Sequence, residues 1–315
     1  MAVNYHDVLI AHERIKPHIH KTPILTNRHI NEMLESQLFF KCENFQISGS
    51  FKARGAHNAI FSMPEEMVRK GVVTHSSGNH AAAVAIAASK KGVPAYVVMP
   101  SNSPAPKKAA VSGYGAYITE CEPTLVARES EAAKIIEDTG ATLLHPYDND
   151  LVIAGQGTAA KELIEEVGSL DFVTCPVGGG GLLGGTAISV KQLLPNAKLI
   201  AAEPLGADDA KQSFESGKIL PCKDPKTIAD GLRSTVGKRN YDLMQRYVDD
   251  VMTVREDSIV RAMKLIWQYM KVIIEPSSAV PLAMLIEHGL TSVKGKKVGI
   301  ILTGGNVDLD KLPWL

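Results

Sequence analysis

The stretch "FVTCPVGGGGLLGGTAISVKQLL" (residues 172–194) decides how the chain is read. A β-branched, apolar run ends at Val177, the glycines Gly178, Gly179, Gly180 and Gly181 follow, and an apolar helical pattern begins at once. This is a strand entering a helix through a turn where backbone can approach a ligand closely. The helix start offers unpaired N–H groups and a dipole that favours an anion, so a phosphate fits there. The plainer alternative is a tight turn whose glycines serve packing, but four in succession exceed that need. The pattern lacks the lysine of G-x-x-x-x-G-K-[ST], so it is not a nucleoside-triphosphate P-loop.

Outward from this unit the same rhythm repeats. Candidate strands are 37–43, 71–76, 95–100, 116–121, 141–146, 172–177, 199–204, 250–254 and 297–303, with helical patterns between them, as at 80–92, 129–140 and 157–168. Strand, helix, strand at this spacing predicts an α/β fold with mostly parallel open sheets covered by helices. The length of 315 residues suits two lobes. No Pro/Gly/Ser-rich linker divides the chain, so one lobe is expected as an insertion: residues 69–148 as a small mobile domain within a large one of residues 1–68 and 149–315.

Composition narrows the function. The net charge is zero and the 22% charged residues are mixed in sign, which gives no footprint for nucleic acid. No apolar run is long enough for a membrane helix, and the N-terminus shows no signal peptide. The four cysteines (Cys42, Cys121, Cys175 and Cys222) form no C-x-x-C and read as buried thiols of a cytoplasmic protein.

Two further strand ends run into small polar residues: "HSSGNH" (75–80) and "LTGGNVDL" (302–309). In open α/β sheets ligands bind at the carboxyl ends of strands, so three such ends suggest one composite site. Ser76, Ser77, Asn79 and His80, at the start of an alanine-rich helix, could hold a carboxylate, although one serine would suffice as a cap. Thr303 ends an apolar strand. In "QISGSFKARGA" (46–56), Lys52 follows small residues and Phe51. Burial lowers the pKa of such a lysine and lets it form a Schiff base. A lysine, a phosphate cradle, a carboxylate loop and a hydroxyl together imply pyridoxal 5′-phosphate.

"SGSFKARGA", "SSGNH", "GGGGLLGG" and "TGGNVDL", in this order, resemble the fold-type II pyridoxal-phosphate enzymes, nearest the serine racemase and serine/threonine dehydratase family. "AGQGT" (154–158), "TIADG" (227–231) and "IIEPSSAV" (273–280) extend the resemblance over nearly the whole chain. It implies that Lys52 carries the cofactor, flanked by Phe51, and that Asn79 bonds the ring oxygen. Gly178 to Gly181 would bind the phosphate, and Thr303, where relatives carry serine or cysteine, would face the ring nitrogen. A neutral partner there favours loss of a β-leaving group. Ser76, Ser77, Asn79 and His80 would hold the substrate, with Ser77 as the acid–base residue opposite Lys52. Glu203, the Ala207 carbonyl and Asp209 match a divalent-cation site for Mg²⁺ (or Ca²⁺ or Mn²⁺). Arg128 and Ser234 fall where a dicarboxylate substrate would be read. Arg128 could equally be a helix-surface residue near Glu131. His145 and Tyr147 would shape the cleft, and Lys107 and Lys108 would face solvent. Ala82 replaces a glutamine that helps animal serine racemases bind nucleotide, which argues against ATP activation. The implied protein is a homodimeric serine racemase with L-serine/L-threonine dehydratase activity. A 3-hydroxyaspartate ammonia-lyase and a non-catalytic cofactor-binding protein are the alternatives. The S-S-G-N-H loop stands against a cysteine synthase.

Overall fold

The computed structural model describes residues 2–76, 78–103, 105–289 and 293–315. Two sheets organise it. The larger has six strands: β1 (Ile24–Leu25), β2 (Gln37–Cys42), β7 (Phe172–Pro176), β8 (Lys198–Pro204), β9 (Asp250–Val254) and β10 (Lys297–Leu302), in the order β1-β2-β10-β7-β8-β9. All neighbours are parallel except β1 with β2. The smaller has β3 (Val72–His75), β4 (Ala95–Pro100), β5 (Tyr117–Cys121) and β6 (Thr142–Leu143), all parallel, in the order β5-β4-β3-β6. Parallel strands need crossovers, and the helical patterns supply them.

The observed elements depart from expectation at three places. β6 covers only Thr142 and Leu143 of the expected 141–146; Leu144 N still donates to Val73 O at 2.8 Å, and Pro146, which has no N–H, cannot carry the ladder further. Helix α7 (Leu125–Thr139) starts four residues before the expected position, capped by Thr124, whose hydroxyl accepts from Ala127 N. Helix α8 (Asp150–Val167) starts seven residues early on an Asn149 cap, so "AGQGT" lies in mid-helix.

That mid-helix position explains its glycines. A Cβ at Gly155 would come 2.7 Å from Arg54 O on helix α3 (Lys52–Ser62), and one at Gly157 would come 2.8 Å from Gly185 O on helix α9 (Gly181–Leu193). α8 is thus wedged between α3 and α9 at backbone contact distance. α3 packs its Ala56, Ala59 and Ile60 into the core of the four-stranded sheet, so the helix that begins with Lys52 lies between the two sheets.

Cys42 and Cys175 are buried, whereas Cys121 and Cys222 are half-buried, against the expectation that all four lie inside. Among the described residues no helix is long and apolar enough to cross a membrane.

Candidate active site

The residues before Lys52 are small because another loop lies on them. Gly49 has φ +70°, and a Cβ there would strike the Asn306 side chain. Ser50 bridges to Gly304, Phe51 N donates to Thr303 O at 2.9 Å, and Gly305 N donates to Gly49 O at 2.9 Å. The turn into α3 is therefore stitched to the loop that ends β10, which sets Lys52 beside Thr303.

Lys52 is half-buried, and its Nζ donates to Pro146 O at 2.9 Å and lies 5.1 Å from the Phe51 ring centroid. Burial draws its pKa down to about 8, against the opposing pull of Glu275. Helix α5 (Asn79–Lys91) brings in the second strand end. Asn79 donates to both oxygens of Glu275, at 2.8 and 3.0 Å, and its Oδ1 accepts from Asn306 Nδ2 at 2.8 Å. Glu275 stands at the N-cap of helix α13 (Pro276–His288), and burial, helped by Asp230, pushes its carboxyl up to about 7. Ser76 Oγ accepts from Gly78 N at 3.4 Å. Ser77 lies outside the described residues.

His80 is buried with Nε2 3.3 Å from Leu144 O, and burial and Lys52 hold its pKa well below the ordinary value. Burial likewise takes His145 to about 4, and its Nδ1 accepts from Asp148 N at 2.9 Å. Both imidazoles are neutral at neutral pH, and neither competes with Lys52 as a cation.

The glycine turn faces the same space. A Cβ at Gly178 would come 2.9 Å from Leu232 Cα, one at Gly179 would enter the Tyr147 ring, and one at Gly181 would meet Tyr147 at 3.1 Å. Gly180 has φ +87°. Asn240 Nδ2 bonds Tyr147 O at 3.1 Å and Gly179 O at 2.8 Å, which holds the turn open. Among the described residues the N–H groups of Gly178, Gly179 and Gly180 have no acceptor. Unpaired N–H groups at a helix start, with a nearby amine of lowered pKa, suit a phosphorylated aldehyde. Thr303 Oγ1 is 2.9 Å from Ser278 Oγ, which in turn bonds Gly304.

The outer residues are more dispersed. Arg128, half-buried on α7, donates weakly to Thr124 O at 3.4 Å. Glu131, the partner considered for it, bonds Lys134 at 2.6 Å instead, and Arg128 has no carboxylate partner among the described residues. Ser234 lies in the segment whose Gly237 N donates to Gly179 O at 3.1 Å. Lys107 and Lys108 do not simply face solvent: they pair with Asp230 at 2.6 Å and Glu120 at 2.8 Å.

Away from the cleft, Glu203 ends β8 fully buried, accepting from Ala210 N and Lys211 N at 3.0 and 2.9 Å. Asp209 accepts from Val236 N at 3.2 Å through Oδ2, while its buried Oδ1 has no partner. Two buried carboxylates and an orphaned oxygen beside Ala207 fit a hard cation held by oxygen. Among the described residues no three His, Cys, Asp or Glu side chains converge on a metal position, so the Ala207 carbonyl and water would complete the set.

Glu275, Ser278, Asn306, Asn240 and the Pro146 carbonyl were not found from sequence. "IIEPSSAV", with an acid between an apolar run and a proline, carried a signal for Glu275 and Ser278, and "LTGGNVDL" contains Asn306.

Comparison with known proteins adds to this geometry. Residues 15–304 match the family of pyridoxal-phosphate dependent enzymes. The chain is 54% identical over 314 residues to serine racemase of Dictyostelium discoideum, covering 98% of this chain and 97% of that protein. It is 51% identical over 310 residues to beta-hydroxyaspartate dehydratase of Paracoccus denitrificans (strain Pd 1222), covering 98% of each. The crystal structure of a T.th. threonine deaminase superposes with a TM-score of 0.93 at 42% identity, covering 97% of this chain and 99% of that one. Since the family match takes in every strand end that surrounds Lys52, the chain belongs to the fold-type II pyridoxal-phosphate dependent enzymes.

Proposed function

We propose that this enzyme is a serine racemase that also acts as an L-serine and L-threonine dehydratase, releasing a 2-oxo acid and ammonia. One observation carries the reading: the Lys52 amine, its pKa lowered by burial, lies where the glycine turn, the Asn79 helix start and the Thr303 strand end converge. Serine racemases and a threonine deaminase among the relatives support it.

Pyridoxal phosphate, when bound, stabilises negative charge at the α-carbon of a joined amino acid. Gly178 to Gly181 would hold its phosphate, Asn79 its ring oxygen and Thr303 its ring nitrogen. Lys52 Nζ takes the α-proton, and a pKa near 8 lets it act as a base at neutral pH. Ser76, Asn79 and His80 would grip the substrate carboxylate. Ser77 would return a proton to the opposite face, which gives D-serine, whereas loss of the β-hydroxyl leads to ammonia release. We take residues 69–148 as the lobe that closes to exclude water. Phe45, Tyr269 and Ile273 are exposed large apolar residues of the kind a homodimer interface would cover. The half-buried Cys121 and Cys222 fit the reducing cytoplasm.

A second reading, 3-hydroxyaspartate ammonia-lyase, draws on Arg128, which could read a side-chain carboxylate, and on the dehydratase relative. Measuring 2-oxo acid from L-serine, L-threonine and both 3-hydroxyaspartate diastereomers, with D-serine in parallel, tests both. Turnover confined to 3-hydroxyaspartate would replace the first reading with the second. No turnover of any of these would defeat both.

The cation site is tested by pH. Burial pushes Glu203 up to about 9 and Asp209 up to about 6. The unfolded chain has lost the Glu203 proton above about pH 5, while the folded chain keeps it to about 9. The folded state then binds more protons, so stability falls as pH rises through that window. A bound divalent cation displaces the proton and removes the slope. With chelator, Tm is expected to decline between about pH 6 and 8.5. With Mg²⁺ or Ca²⁺ at about 100 times Kd it should stay flat and higher, by about 2.7 kcal/mol of stability. Superimposable curves would remove the cation from this account.

A further inference from the structure

Two residues beyond Lys52, Arg54 is fully buried. Its Nε and Nη2 donate to Glu43 at 2.7 and 2.8 Å, and its Nη1 and Nη2 donate to the two oxygens of Glu162 at 2.8 Å each. Nη1 also reaches Thr158 Oγ1 at 3.0 Å. Lys41 Nζ bonds Glu162 at 2.7 Å and Thr22 O at 2.6 Å, and Thr22 Oγ1 bonds Glu43 at 2.5 Å. The cluster joins β2 and the turn after it to α3 and α8.

Stability alone does not account for it. Well-packed apolar side chains usually match or exceed a buried ion cluster in stability. What bidentate forks supply is a fixed geometry. α3 meets α8 at backbone contact, Gly55 and the Arg54 backbone lying against Gly155. Gln156 Oε1 accepts from Gly55 N at 3.1 Å and Asn58 Nδ2 donates to Leu151 O at 2.7 Å, both on the α8 side of the helix, and the Arg54 forks add the tie to β2 and the turn after it.

We propose that Arg54, gripped by Glu43 and Glu162, is the positioning residue for Lys52: it fixes the rotation and register of α3, and so where the Lys52 amine meets the glycine turn. The proposal rests on reading Lys52 as the cofactor-bearing lysine. The cluster is also formally charge-balanced, two cations against two carboxylates, so it places no net charge near Lys52. Burial alone would push Glu162 up, but Arg54 and Lys41 outweigh it and hold its carboxyl at about 2, so Glu162 stays ionised. The charged or titratable groups that face Lys52 are Glu275 from the α13 cap, His80 from α5 and His145 from the loop after β6. Around the cluster lie His12 on α1 (Tyr5–Ile15) and Lys161 on α8, whose own partner is Glu165.

The test uses the holoenzyme. Its readouts are the pH at which the visible absorbance of the lysine-bound cofactor titrates, and kcat and KM separately. Arg54→Lys keeps the charge and loses the fork. It is expected to leave that pH in place and lower kcat about 10- to 100-fold, the scale of a small misplacement. Arg54→Met leaves a net negative charge and should raise that pH by about one unit. Glu43→Gln or Glu162→Gln should lower it by a similar amount. A purely structural role would not move these variants in opposite directions. Wild-type kcat in Arg54→Lys, or shifts of one sign or none across the charge variants, would overturn the proposal. If Arg54→Met does not fold, the Lys and Gln variants decide. If Lys52→Ala kept the visible band, the reading of Lys52 would fail instead.

Discussion

Lys52→Ala is expected to cut turnover of L-serine at least about 10³-fold and to remove the visible absorbance of lysine-bound cofactor. Two losses combine in that number. In the function proposed above the amine is both the point of attachment and the base that takes the α-proton, and positioned proton transfer alone contributes about 10²- to 10⁴-fold. The fold should survive, because Lys52 Nζ makes one hydrogen bond, to Pro146 O, and sits in a setting that disfavours its charge. Near-wild-type Tm together with lost activity and absorbance is therefore the expected signature. A lysine that merely solvated the cleft would leave both intact. So would a non-catalytic cofactor-binding protein that used another attachment point, and undiminished turnover would end the present reading. Cofactor content measured after denaturation separates failure to bind from failure to react: a phosphate cradle at Gly178 to Gly181, as proposed, would keep some cofactor without the covalent link.

Much of this site was legible because it is built from local patterns. A strand of β-branched residues, a glycine turn and an apolar helix declare themselves within about 20 residues, as at 172–194. The lysine was legible only in company, since its small neighbours make sense once Gly49 is seen under Asn306 and Phe51 N on Thr303 O. What escaped was long-range. Glu275 looks like a helix cap, yet its burial and raised pKa depend on Asn79, at the other sheet. Arg54 stands in plain view beside Lys52, but its partners Glu43 and Glu162 are brought to it by β2 and α8. β1 is too short, at two residues, to show alternation. The start of α7 was missed because Leu125 and Val126 are exposed and blur its amphipathic period. Arg128 lies on that helix, so the error over its start went with doubt over its partner. The structure resolves the simpler half of the question by giving Glu131 to Lys134.

Ser77→Ala is expected to lower D-serine formation by about 10²- to 10⁴-fold while ammonia release from L-serine falls far less. The asymmetry follows from what each outcome needs. On the proposed reading elimination requires one base, Lys52, on one side of the α-carbon, because the β-hydroxyl leaves and no proton returns to the α-carbon; the β-carbon gains its proton after release, as the enamine tautomerises and is hydrolysed. Inversion requires a donor on the opposite side as well. The candidates there are few. His80 and His145 are held neutral by burial, with His80 Nε2 against Leu144 O and His145 Nδ1 accepting from Asp148 N, while His80 Nδ1 has no partner among the described residues. Asn79 carries a carboxamide, which donates hydrogen bonds but does not give up a proton at neutral pH. The hydroxyls of the "SSGNH" loop belong to Ser76, which accepts from Gly78 N at 3.4 Å, and to Ser77, to which we assign the proton. Following the exchange of deuterium from solvent into L-serine makes the test sharper. Lys52 should still wash the label into the retained enantiomer in Ser77→Ala, and D-serine should stay near background. Equal loss of ammonia release and D-serine would mean that Ser77 grips the substrate instead of moving its proton.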